Sequence, residues 1–144
     1  MNAFLQLLVG SLLLAVLACQ TSQMPGGAEA LGNHRWVLTE LDGQPIPDTA
    51  RRNAASLQFF TKENRVAGSG GCNRITGGYE RTGRDGLKFS RMVSTKMACP
   101  GPDLETPFLR ALDQVDNFSI AQGVLTLRQG PTVLARLQAT APQN

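Results

Sequence analysis

From Arg35 to the C-terminus, apolar side chains recur at every second position in short runs, and nothing else in the chain restricts its fold as strongly. Trp36 and Leu38, Leu57 and Phe59, Leu87 and Phe89, Phe118 and Ile120, Leu125 and Leu127, and Val133, Ala135 and Leu137 each place one apolar face on an extended strand. Between the runs stand Glu63-Asn64, Asp85-Gly86, Gln122-Gly123 and Gly130-Pro131, residue pairs suited to tight turns. Short strands joined in this way predict an antiparallel sheet that curls to bury its apolar face.

One segment follows a different period. Leu104, Phe108, Ala111, Leu112 and Val115 recur at helical spacing after Pro100-Gly101-Pro102-Asp103. Asp103 or Thr106 is expected to cap this helix, the latter with Pro107 at the first helical position. The predicted class is therefore α+β, mainly β: a curved antiparallel sheet or partial β-barrel covered by one α-helix.

The N-terminus is separate in character. No charged residue precedes Glu29, and residues 4–18 are almost entirely apolar up to Cys19. A membrane-spanning helix needs about 20 apolar residues, so the run better fits a secretory signal. Val16-Leu17-Ala18-Cys19 resembles the lipobox of bacterial lipoproteins, which marks 1–18 as a signal peptide and Cys19 as the lipidated residue. Leu17 is bulkier than the usual residue there, and no Lys or Arg precedes the run. An ordinary cleaved signal and an uncleaved anchor are the alternatives, and all three readings put the domain outside the cytoplasm.

Cleavage before Cys19 leaves 126 of the 144 residues, enough for one domain with a modest core. Positions 19–33 read as a flexible tether, 34–139 as the domain and 140–144 as a C-terminal tail. Gln20, rather than Asp, after the cysteine resembles the default route to the outer membrane, with the domain facing the periplasm. The anchor makes the membrane a partner, and the domain is expected to be a monomer.

With Cys19 given to lipid, Cys72 and Cys99 remain. In an oxidising compartment an even pair is most simply a disulfide, closing a 27-residue loop and contributing about 3 kcal/mol. A free reactive thiol is the other reading. Zinc wants four N or S ligands, and His34 is the only histidine, so no metal site is expected.

The residues around this pair carry a specific resemblance. Val66-Ala67-Gly68, Gly71-Cys72-Asn73, Gly77, Tyr79 and Thr95-Lys96-Met97-Ala98-Cys99-Pro100 resemble, in order and spacing, the META domain family and its HslJ-like envelope lipoproteins. Trp36-x-Leu38-x-x-Leu41-x-Gly43, the helix positions Glu105, Phe108 and Ala111-Leu112, and Leu125-x-Leu127 match as well. The similarity spans about residues 34–138. It implies a compact antiparallel domain with one helix, no enzymatic activity and no cofactor. It also implies a motif made of Gly71, Cys72, Asn73, Thr95, Met97, Ala98 and Cys99. Members are linked with heat shock, secretion, motility and novobiocin resistance, which name no ligand.

Other candidates have simpler readings. The glycine-dense stretch Gly68, Gly70, Gly71, Gly77 and Gly78 lacks the Gly-Lys-Ser/Thr ending of a phosphate loop, and suits bends and close packing instead. His34 is a single histidine at the domain edge, unsuited to a catalytic triad. Ser94 and Lys96 form a Ser-x-Lys spacing without other hydrolase signatures. Trp36 reads as a core anchor, Asn73 as a turn residue, and Glu105 as a favourable charge at the helix N-terminus.

Charge is unevenly spread. Ten basic and three acidic residues lie between positions 51 and 96, +7 against −4 elsewhere for a net charge of +3. Most of this suits solvated strand faces and turns. The functional reading is attraction to an anionic lipid surface. A nucleic acid is not expected, because the charge forms no concentrated stripe or tail. The sequence thus points to a non-enzymatic envelope lipoprotein that binds a protein or lipid partner. An inhibitor of an envelope protease or hydrolase is the alternative, and an enzyme using Ser94 and Lys96 comes third.

Overall fold

Each alternating run is a strand in the computed structural model, which describes residues 27–47 and 54–141. The signal segment and Cys19 lie outside the described residues. In chain order the elements are α1 (Gly27–Gly32), β1 (Arg35–Leu41), β2 (Gln44–Pro45), β3 (Ser56–Phe60), β4 (Arg65–Ser69), β5 (Arg74–Thr82) and β6 (Gly86–Ser94), then α2 (Glu105–Gln114), β7 (Asn117–Ala121), β8 (Val124–Gln129) and β9 (Thr132–Thr140). The sheet runs β2-β1-β3-β4-β5-β6-β7-β8-β9, every neighbour antiparallel, and β9 pairs back onto β1 to close a ring. Closure hides the edges that an open sheet would expose.

The alternation decides what fills the ring. Trp36, Leu38, Leu57, Phe59, Val66, Ile75, Leu87, Leu125, Leu127 and Leu137 point inward and are buried. Phe59 meets Tyr79 edge to face at 5.1 Å, a favoured arrangement of two aromatic quadrupoles. Each such side chain contributes about 1.5–3 kcal/mol by leaving water. The ring is thinnest between β6 and β7, joined only through Gly86 and Asn117. There α2 packs mainly on β6 and inserts Phe108, Ala111 and Leu112 into the core. This is the covering helix that the 3.6-residue period predicts.

Some boundaries differ from the expectation. Positions 27–32 of the expected tether are helical, and Leu31 is fully buried, its carbonyl accepting a 3.0 Å hydrogen bond from the Trp36 indole N–H. A single Leu in a polar stretch leaves no period to read, yet it joins the core. At the other end, Thr140 belongs to β9, paired with Arg35, rather than to a tail. The turn expected at Asp85-Gly86 begins earlier, with Gly83 at φ 61° and Gly86 already paired with Thr82. Gln122 and Gly123 do form the expected two-residue hairpin, both at positive φ.

Strands β4 and β5 had no alternating run to announce them, because glycine stands where apolar residues would. Gly68 shows the reason: a Cβ there would sit 1.8 Å from the Ser56 carbonyl oxygen. The close approach of β3 to β4 therefore requires glycine, in line with the packing role read from sequence.

Candidate functional site

Between β4 and β5 the chain turns through Gly70, Gly71, Cys72 and Asn73, and this loop meets the irregular segment joining β6 to α2. The loop is set by its own backbone: the Gly70 N–H donates to the Asn73 carbonyl at 2.9 Å, and the Gly71 N–H donates to Ser69 Oγ at 3.0 Å. Two cross-links then join it to the segment. Cys72 and Cys99 form the expected disulfide, with Cα atoms 6.0 Å apart.

The second cross-link is the side chain of Asn73, only 7% exposed. Its Oδ1 accepts from the Met97 N–H at 2.8 Å and from the Thr95 hydroxyl at 3.0 Å. Its Nδ2 donates to Glu105 Oε1 at 3.4 Å and approaches Cys99 Sγ at 3.7 Å. One amide thus satisfies groups on the continuation of β6, on the disulfide and on α2. Asparagine suits this because it presents both acceptor and donor without charge.

Glu105 occupies the first turn of α2, where a carboxylate is electrostatically favoured, as its sequence position predicts. It also packs directly on Gly70, where a Cβ would lie 2.6 Å from Glu105 Cγ. Its Oε2 is buried without a hydrogen-bond partner among the described residues. The cap of α2 comes from Asp103, whose Oδ1 accepts from the Thr106 N–H at 3.1 Å. Hydrogen bonds from Thr106 hold the Asp103 carboxyl below its ordinary range. Leu104 stands at the N-cap position itself, so the alternative cap by Thr106 is not realised.

The result is a cleft of about 730 Å³ lined by Gly70–Asn73 on one side and by residues 96–106 on the other. It gathers Gly71, Cys72, Asn73, Met97, Ala98 and Cys99, and Thr95 supports it from behind through Asn73. The lining mixes apolar Met97, Ala98, Pro100 and Pro102 with the charges of Lys96, Asp103 and Glu105. Such a surface can hold a ligand by apolar contact with charged fixing points. Among the described residues no His, Cys, Asp and Glu cluster has metal-ligand grouping.

Other sequence candidates lie elsewhere or serve the fold. The Lys96 ammonium donates to Ser94 Oγ at 3.4 Å. His34 packs edge to face on Trp36, with ring centroids 5.5 Å apart. Trp36 is fully buried, the core anchor its alternation predicted. Asn73 does more than serve a turn: its side chain reaches across 24 residues to Met97, which no local pattern signals.

A second, shallower groove of about 450 Å³ lies on the outer face of the ring, lined by Arg65, Ala67, Arg74, Thr76, Val93 and their neighbours on β4, β5 and β6. It adjoins the first in sequence, since Thr95 ends one lining and Lys96 begins the other.

With this geometry in place, the comparisons with known proteins are specific. The family model of the META domain matches residues 29–141. Among solved structures, a Burkholderia xenovorans protein determined by NMR is similar with TM-score 0.66 and 21% identity, covering 83% of this chain and 90% of its own. A second NMR structure has TM-score 0.60 and 24% identity over 77% of this chain and 93% of its own. A DUF4847 family protein from Bacteroides vulgatus ATCC 8482 has TM-score 0.57 and 15% identity, over 80% and 98% respectively. At these identities the structures share the fold. Among the curated proteins nothing matches the chain.

Proposed function

Since this chain belongs to the META domain family, we propose that it is a non-enzymatic lipoprotein of the cell envelope that supports stress tolerance by binding a partner at the disulfide-braced cleft. In this reading Cys19 carries the lipid, the outer membrane is the site, and the barrel faces the periplasm.

The observation that carries the proposal is the bracing of the cleft. Asn73 and the Cys72–Cys99 bridge hold an otherwise irregular segment in one place. A loop fixed before binding loses less entropy when a partner arrives, so fixation favours affinity. The mixed lining of prolines, Met97 and a few charges suits a polypeptide or lipid surface.

The test is photo-crosslinking in intact envelopes, with a crosslinking residue at Ala98 on the cleft rim. One discrete partner is expected, with loss of the adduct when Asn73→Ala releases the segment. Recovery of a hydrolase as the main partner would replace this reading with the inhibitor reading. For the anchor, labelled palmitate should enter the chain and be lost in Cys19→Ala; a chain that never takes up label would refute lipidation.

A further inference from the structure

Among the described residues, the large hydrophobic side chains most open to solvent are Val93 and Met97, 59% and 62% exposed. They stand four positions apart, one near the end of β6 and one just beyond it. Val93 lines the groove on the outer face, and Met97 stands on the rim of the adjoining cleft.

The surroundings of Val93 are basic. Val93 pairs with Thr76 on β5, which pairs with Ala67 on β4, so the three form one row across the outer face. Arg65 and Arg74 line the same groove, and no carboxylate does. Arg91 and Lys96 flank Val93 along the chain, and all four basic residues are exposed. The Arg65 guanidinium lies over the Phe60 ring at 4.1 Å, which directs its charge without neutralising it. Glu80, the carboxylate on β5, faces Lys88 further along the sheet.

We propose that this outer face of β4, β5 and β6, together with the segment that continues β6, docks on anionic phospholipid headgroups, with Val93 and Met97 entering the interface and the four cations on phosphates. Met97 and Lys96 also line the cleft, so the two surfaces meet at the end of β6, but docking of this face on lipid requires no partner held in the cleft. A protein partner fits the face less well, because interface cores are depleted of charge and two apolar side chains make no core. A bilayer surface needs neither shape complementarity nor a large apolar area. It asks for a few inserted side chains and clustered positive charge.

The test uses the full chain carrying Met97→Trp, reconstituted in vesicles with brominated acyl chains. One set is pure phosphatidylcholine and the other contains about 30% phosphatidylglycerol, enough to give a negative surface potential. Native Trp36 is fully buried and supplies a constant background. Quenching of the introduced indole is expected in the anionic vesicles only. Raising the salt should reverse it, because exposed charges are screened. Adding Arg74→Gln and Lys96→Gln should lower the docked-to-undocked ratio on the order of 25-fold, from about fivefold per charge removed. Thr132→Trp, on β9 at the opposite side of the ring, should stay unquenched in both vesicle sets. Equal quenching of the Met97→Trp chain in both sets would overturn the proposal, since the anchor alone would then explain proximity. No quenching in either set would overturn it too, even if an acidic protein were then found on this face.

Discussion

The Asn73 side chain accepts a hydrogen bond from the Met97 backbone N–H at 2.8 Å, across 24 residues of sequence. That contact, with the Thr95 hydroxyl on the same oxygen, ties the β4–β5 loop to the segment before α2. The disulfide makes the same connection covalently. The two restraints differ in kind: one fixes the geometry of the folded state, and the other also limits the unfolded chain.

Replacement of Asn73 by Ala should destabilise the domain by about 1–3 kcal/mol, because a buried amide and its hydrogen bonds to Met97, Thr95 and Glu105 are lost together. Urea unfolding is the measurement, and the midpoint should fall with little change in slope. A midpoint equal to that of the wild type would show the amide to be dispensable.

Reduction of the bridge, or Cys72→Ser with Cys99→Ser, should cost about 3 kcal/mol for a loop of this length. Non-reducing peptide mapping should recover Cys72 joined to Cys99. Trp36 is buried within the ring, and its near-ultraviolet circular dichroism should persist after reduction.

Two glycines should respond very differently to alanine. Gly68→Ala places a methyl group 1.8 Å from a backbone oxygen of β3, which no side-chain movement can relieve. The expected loss exceeds about 3 kcal/mol, and the chain should lose its cooperative thermal transition. Gly43 stands in an exposed turn at φ 76° with nothing near its Cβ position. There alanine should cost about 1 kcal/mol, from the left-handed backbone alone. Similar losses at both sites would contradict the close approach of β3 and β4.

Asp103 provides a pH test. Hydrogen bonds from Thr106 lower its pKa in the folded state. A lowered folded pKa means that its stabilising effect is present above the unfolded value of about 3.9. The effect is lost as the pH falls through the folded value. Asp103→Ala should therefore be less stable than the wild type near neutral pH, with the gap narrowing in strong acid. Asp103→Asn, which retains an acceptor, should restore much of the difference without the acid dependence. A gap constant from neutral to strongly acidic pH would rule out this role.

How much was legible depends on the physical signal each residue leaves. Trp36, Leu38, Leu125 and Leu127 announced strands because burial on one sheet face imposes a period of two. Phe108, Ala111 and Leu112 announced the helix by the same logic at a different period. The turn at Gln122-Gly123 was legible because positive φ selects few residue types. Strands β4 and β5 left a weaker mark. Gly68 and Gly77 interrupt their alternation for the sake of neighbours that only the folded chain brings close.

The motif around Cys72 and Cys99 could be read as a pattern, and the compartment suggested their pairing. Its purpose could not be read in the same way. Which face Asn73 presents, and that Met97, Thr95 and Glu105 surround it, depends on strand register set by the whole ring. The same holds for Leu31, buried in the core with its carbonyl bonded to the Trp36 indole.

The sequence by itself determined six of the strands and the covering helix, the polarity of their faces, the mainly β class and the two cysteines available to bridge. Those properties follow from local periods and residue chemistry. Tertiary structure alone decided that the sheet closes through β1 and β9, and that the disulfide borders a cleft. It also decided that Val93 emerges beside Arg65 and Arg74 on one outer face. These are relations between residues distant in the chain, and only the packing of the ring fixes the distances between them.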